Sequence, residues 1–204
     1  QVGALDLLVV DRWSQGRWLP EKQGVGLARK IAGDMALALI ASGAVRHPWI
    51  RCTDADVEVP SDFFDSIGDV PADASAAISP FVHVPEGDAN QQEAMRLYDV
   101  YLQDYVDGLE RAGSPYAFHT IGSLISVQAR HYAMVRGIPK RAAGEDFYLL
   151  NKLAKVGRVC TIDGDPIHIR GRLSDRVPFG TGAALLDMRH ALEKGLPTRK
   201  YDPR

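Results

Sequence analysis

Short apolar runs alternate with stretches of helical periodicity along this chain, and that alternation restricts the fold more than any other feature. Leu5 to Val10 is a nearly continuous apolar run that stops at Asp11, the pattern of a strand buried on both faces. After a Gly- and Pro-containing loop, apolar positions Leu27, Ile31, Met35, Leu39 and Ile40 recur at helical spacing, and Ser42-Gly43 closes the helix. Trp49 to Thr53 reads as the next strand, Asp62 to Ile67 as a short helix, and Ala76 to Val84 as a strand. A long amphipathic helix over Asn90 to Arg111 carries Met95, Tyr98, Leu102, Tyr105 and Leu109 on one stripe. Beyond it come a strand at Leu124 to Val127 and helices at Ala129 to Arg136 and Asp146 to Lys155. Strands at Cys160 to Ile162 and Ile167 to Ile169 and a final helix at Ala183 to Glu193 complete the series. Such alternation predicts an α/β fold, a mixed and mainly parallel sheet flanked by helices.

The chain has 204 residues, 46% of them hydrophobic, enough to bury one core, so a single domain over residues 1–204 is expected. Lys plus Arg number 24 against 26 acids. That near-balance gives no reason to expect nucleic acid or a polybasic membrane anchor. No apolar run is long enough to span a bilayer. The two cysteines, Cys52 and Cys160, lack partners at zinc-site spacing, so a reducing, cytoplasmic setting is expected, with membrane association through regions outside this stretch as the alternative.

Chemistry concentrates at two acidic places. Thr53-Asp54-Ala55-Asp56 follows a strand, and in an extended chain the two aspartates would share a face with small Ala55 turned away. Two hard oxygen ligands of this kind suit magnesium or manganese, whose remaining positions go to water and substrate phosphate. Solvated acids before the Pro60 turn would give the same pattern. Gly144-Glu145-Asp146 places a second acidic pair at a helix start, where the backbone N–H groups favour negative charge. A plain capping role also explains that pair.

Together the two motifs, in this order, resemble the family 2-like glycosyltransferases of the GT-A fold. The resemblance runs from about Leu5 to Gly182. It implies that Asp54 and Asp56 hold a divalent cation, Mn2+ or Mg2+, on the diphosphate of a nucleotide-sugar donor, with Asp54 also meeting the donor. It implies that Asp146, with Glu145 beside it, faces the acceptor as general base. Gly24-x-Gly26-x-Ala28-Arg29-Lys30 looks like the family's glycine segment before Ala-Arg-Asn, and Gly122-Ser123 like its small-residue acceptor loop. Asp11 stands where the family's second strand contacts the nucleotide. The family's opening strand and its base-binding loop have no counterpart before Gln1. His168 is a candidate third metal ligand, and Arg176, in the basic stretch Arg170 to Arg176 before a glycine turn, a candidate phosphate contact. Arg29 and Lys30 are candidates for the same phosphate or nucleotide. Two other readings fit the residues: a sugar-phosphate nucleotidyltransferase and a noncatalytic nucleotide-sugar binding module.

Overall fold

The computed structural model describes residues 6–68, 70–173 and 180–197. Helix α1 (Gly24–Ala41) is followed by β1 (Trp49–Arg51), β2 (Val57–Glu58), β3 (Ala74–Ile78) and β4 (Phe81–Val84). Then come α2 (Ala89–Arg111), β5 (Ile125–Gln128), α3 (Ala129–Met134), α4 (Glu145–Leu153), β6 (Arg158–Thr161), β7 (Ile167–Arg170) and α5 (Thr181–Glu193).

These strands form two small mixed sheets, one ordered β1-β5-β3-β6 and the other β2-β7-β4. In the first, β5 runs antiparallel to both neighbours while β3 and β6 are parallel. In the second, β7 is antiparallel to β2 and parallel to β4. The α/β alternation is therefore present, but the sheets are not mainly parallel. The apolar alternation that marks strands carries no direction, and β5 enters from the side opposite to β1 and β3.

Three strands of the first sheet continue directly into the second: β1 into β2, β3 into β4, β6 into β7. The expected single strand over Ala76 to Val84 is thus two strands in different sheets. Pro80, which has no N–H to give to a ladder, sits at the break. The boundary that these three crossings span is the seam between the two sheets.

One face of the first sheet presents Ile50, Ala76 and Val127 to Tyr132 of α3 and to Leu149, Leu150 and Leu153 of α4, forming the main core. On the other face, Ala77 packs with Ile67 and Ile162. The segment carrying Ile67 runs through turns, not the expected short helix. Its Phe63 and Ile67 are buried at 5% and 3% exposure, so tertiary packing holds it without helical hydrogen bonds. Helix α2 opens where the Asp88 side chain accepts from the Gln91 backbone N–H at 2.9 Å. Its Ala94, Met95 and Tyr98 pack on Leu185 and Met188 of α5, with Leu102 partly buried against them, so the first part of the expected stripe is a core face.

The apolar run that ends at Val10 is not a buried strand. Residues 6–10 carry no regular structure, and Leu7, Leu8 and Val9 are 86%, 62% and 60% exposed. An apolar run becomes a strand only beside another strand, and no strand among the described residues pairs with it. No helix among the described residues is long and apolar enough to cross a membrane.

Candidate functional site

Arg29 organises the seam. One helical turn into α1, its guanidinium donates through Nη2 to Asp54 Oδ1 and forms an ion pair through Nη1 with Glu145 Oε1 at 3.2 Å. The loop after β1 and the first turn of α4, the two acidic motifs of the sequence, thus converge on one cation. Burial disfavours the charge on Arg29, yet the fields of Asp54 and Glu145 offset this, and its pKa is raised.

Gly122 completes the contact. A Cβ on this residue would lie 1.5 Å from Arg29 Nη1, so any side chain here must push the guanidinium away from its present place between the two acids. Helix α1 reaches this place by a second close approach. Gly26 N–H donates to the Arg141 carbonyl at 3.0 Å, and a Cβ at Gly26 would stand 2.5 Å from that oxygen. The expected Gly-x-Gly segment therefore works through helix-to-loop packing. It holds α1 against the loop that leads into α4.

Glu145 is 4% exposed. Its burial raises its pKa, an effect that its pairing with Arg29 only partly reverses. Asp146, half-buried, has its pKa raised first of all by burial. The Phe147 N–H, which donates to its Oδ1 at 2.8 Å, and the charge of Arg29 act in the opposite sense. Neither acid side chain caps α4 from the N-cap position, which belongs to Gly144 in the left-handed region at φ 71°. The pair is therefore held within the first turn, with Asp146 sensing both Arg29 and Asp54. On its other side, Asp146 adds to the field at Tyr98, whose hydroxyl is hydrogen-bonded to Thr181 at the start of α5.

The two aspartates of the first motif do not project together from an extended strand. Ala55 and Asp56 lie in a turn between β1 and β2, and Asp56 pairs with Arg172, just past β7. The chain must change sheets here, and the turn sends the carboxylates to different arginines. Their side chains keep 41% and 46% of their surface exposed.

Other expected residues lie elsewhere. Lys30 is one position beyond Arg29, hence about 100° around the helix, and its Nζ bonds Asp34 at 3.0 Å and the Arg136 carbonyl at 3.3 Å. Asp11 closes a local turn, accepting from the Ser14 N–H at 3.0 Å and from Arg17 Nη1 at 3.1 Å. Ser123, 1% exposed, is enclosed in the core. His168 is exposed in the middle of β7, opposite Glu58. No group of three or more His, Cys, Asp and Glu side chains among the described residues forms a cation cage, so His168 does not join the aspartates. Arg176 lies outside the described residues.

Sequence reading missed several participants. Cys52 sits in the field of Arg29, Asp54 and Glu145, and desolvation pushes its thiol pKa up to about 11, so it is no thiolate. Arg172 was legible only as one of several basic residues. His83, Asp99 and His119 lie on two strand-and-helix elements and a loop, and no spacing signals their meeting.

Two cavities lie outside the cluster. One of 710 Å³ lies along α2 and α5, with Tyr98, Tyr101 and Met188 in its wall; one of 400 Å³ opens at the seam beside β3 and β4. None of Arg29, Asp54 or Glu145 lines either cavity. No protein-family model matches the chain, and no curated protein matches it.

Proposed function

We propose that the protein is a glycosyltransferase similar to family 2 of the GT-A fold, moving a sugar from a nucleotide-sugar donor to an acceptor hydroxyl with the help of Mn2+ or Mg2+. The observation that carries this reading is Arg29 drawing Asp54 and Glu145 together, so that a donor-side acid and an acceptor-side acid share one locus at the seam.

Asp54 and Asp56 are half-exposed, each is paired with an arginine, and no third ligating side chain joins them among the described residues, so a cation held by them would keep most of its water and take phosphate oxygens once the arginines let go. Such a cation would supply Lewis-acid stabilisation of the departing diphosphate. Arg29 and Arg172 already neutralise these carboxylates in the described state. Each guanidinium can pass from carboxylate to phosphate, because its fork fits both. Asp146, raised in pKa by burial, takes the acceptor proton, and Glu145 fixes the first turn of α4 through Arg29.

Two substitutions test this. Asp54→Ala should weaken Mn2+-dependent binding of uridine or guanosine diphosphate by about tenfold or more in calorimetry. Asp146→Asn should lower turnover on a nucleotide-sugar panel by about a hundredfold or more with donor affinity unchanged, and full activity in that variant would remove the base assignment. The arginine pairing of both aspartates also favours a noncatalytic nucleotide-sugar binder. Donor binding that is tight without Mn2+, with no transfer or hydrolysis, would select it.

A further inference from the structure

The near-balance of charge over the whole chain hides a local segregation. Residues 111–144 contain no Asp or Glu, and within them Arg130, Arg136, Lys140 and Arg141 are exposed. None of these four forms an ion pair among the described residues, whereas the exposed Arg158, Arg170 and Arg172 are each held by an acid. Arg136 is the most telling. At φ 62° it is the one residue other than glycine in the left-handed region among the described residues, just past α3, where glycine is the usual occupant. Two ammonium groups hold the main chain there. Lys152 donates to the Val135 and Gly137 carbonyls at 2.7 and 2.8 Å, and Lys30 to the Arg136 carbonyl at 3.3 Å, an arrangement favoured by the negative end of α3. The Arg136 side chain itself stays in solvent.

The same stretch carries large apolar side chains. Arg141 lays its guanidinium over the Tyr148 ring at 3.7 Å, and Phe147 meets Tyr148 edge-on at 5.3 Å between centroids. Both rings are exposed, as is Met134 in the last turn of α3. Cations and apolar groups are thus interleaved from α3, through the loop, to the first turn of α4. A single-stranded nucleic acid would need open ring faces for its bases, but here the rings pack edge-on with a guanidinium over one of them. An acidic peptide would need a groove or a sheet edge, and neither cavity is lined by these residues. A lipid surface needs only cations near its headgroups and amphipathic side chains at its interface.

We propose that Arg130, Arg136, Lys140 and Arg141, with Met134 and the Phe147–Tyr148 pair, form a docking surface for a membrane leaflet that bears anionic lipid. The cations lie against the headgroup phosphates, and Met134 and the two rings enter the interfacial layer. The association is peripheral. It involves neither nucleotide nor metal and does not rest on the transferase reading.

The test is cosedimentation of the full chain with phosphatidylcholine vesicles, with and without about 30% phosphatidylglycerol. Partition onto the anionic vesicles should exceed that onto neutral ones by about tenfold or more in about 0.1 M salt, and the preference should fade in about 0.5 M. Arg136→Gly with Lys140→Gln should lower anionic-vesicle partition by about tenfold or more. Glycine suits the backbone at 136, so circular dichroism should be unchanged. Arg111→Gln with Lys194→Gln removes the same charge from the ends of α2 and α5 and should change partition by about twofold or less. Met134→Ser should lower it by about threefold or more. No preference for anionic vesicles, an equal loss in the two double variants, or binding to polyuridylate without binding to vesicles overturns the proposal. Undiminished partition of Met134→Ser overturns its apolar half.

Discussion

A guanidinium held between two carboxylates, one of them almost wholly enclosed, ties the local fold to the chemistry at a single side chain. Removing Arg29 would leave Glu145 buried with no counter-charge, and such losses cost about 3 kcal/mol or more. Gly122→Ala probes the same contact without deleting a charge. The added methyl overlaps Arg29 Nη1 and must push the guanidinium off its acids, so a stability loss of about 1–3 kcal/mol is expected in urea titration. A Gly122→Ala protein as stable as the wild type would show that Arg29 has room to spare. Asp146 sets a pH signature of its own. Its pKa lies above the usual 3.8 because burial disfavours the charged form, so the folded state binds the proton more tightly than the unfolded chain. Stability therefore declines as pH rises from 3.8 to the raised value and is level above it. On the proposed transferase reading the base works ionised, so kcat/KM should climb with pH through the raised pKa, and Asp146→Asn should flatten that limb.

Among the elements, α1 decides whether the cluster exists, because it carries Arg29 and docks through Gly26. The loop atoms that a Cβ would meet there are backbone, the Arg141 N and O and the Pro139 O at 2.5–2.6 Å, and backbone yields less readily than a side-chain end. Gly26→Ala should accordingly lower the melting temperature by several degrees, about 2 kcal/mol, and, on the proposed reading, reduce nucleotide affinity by displacing Arg29. The element assignments drawn from periodicity succeed where amphipathic pattern and stop signals agree, as in α1 and α2. They fail for residues 6–10 and 62–67. The first has strand composition without a paired neighbour, and the second gets its order from Phe63 and Ile67 reaching the core.

For the molecule as a whole, the seam between the two sheets is the organising feature. Three strands cross it, and the β3–β4 break and the end of β6 share the wall of one cavity. The α2–α5 pair closes the side where Tyr98 meets Thr181 and feels Asp146. Leu185, fully buried there, links that pair to global stability. Leu185→Ala should cost about 2–5 kcal/mol by denaturant titration, and a smaller loss would mean that α5 docks only loosely.

Residue type and spacing alone determined helices α1 to α5, several of the short strands and the two acidic motifs, because these follow from local periodicity and from side-chain chemistry. The tertiary structure decided which acids share the Arg29 guanidinium, why Gly26 must be glycine and Gly122 fits closely against Arg29, and that Asp54 and Asp56 turn to separate arginines. It also decided that Lys30, Asp11 and His168 stand apart and that His83, Asp99 and His119 share a cavity. The physical reason is that strand direction, sheet crossing and close approach are properties of pairs of distant segments. No stretch of sequence read by itself contains both members of such a pair.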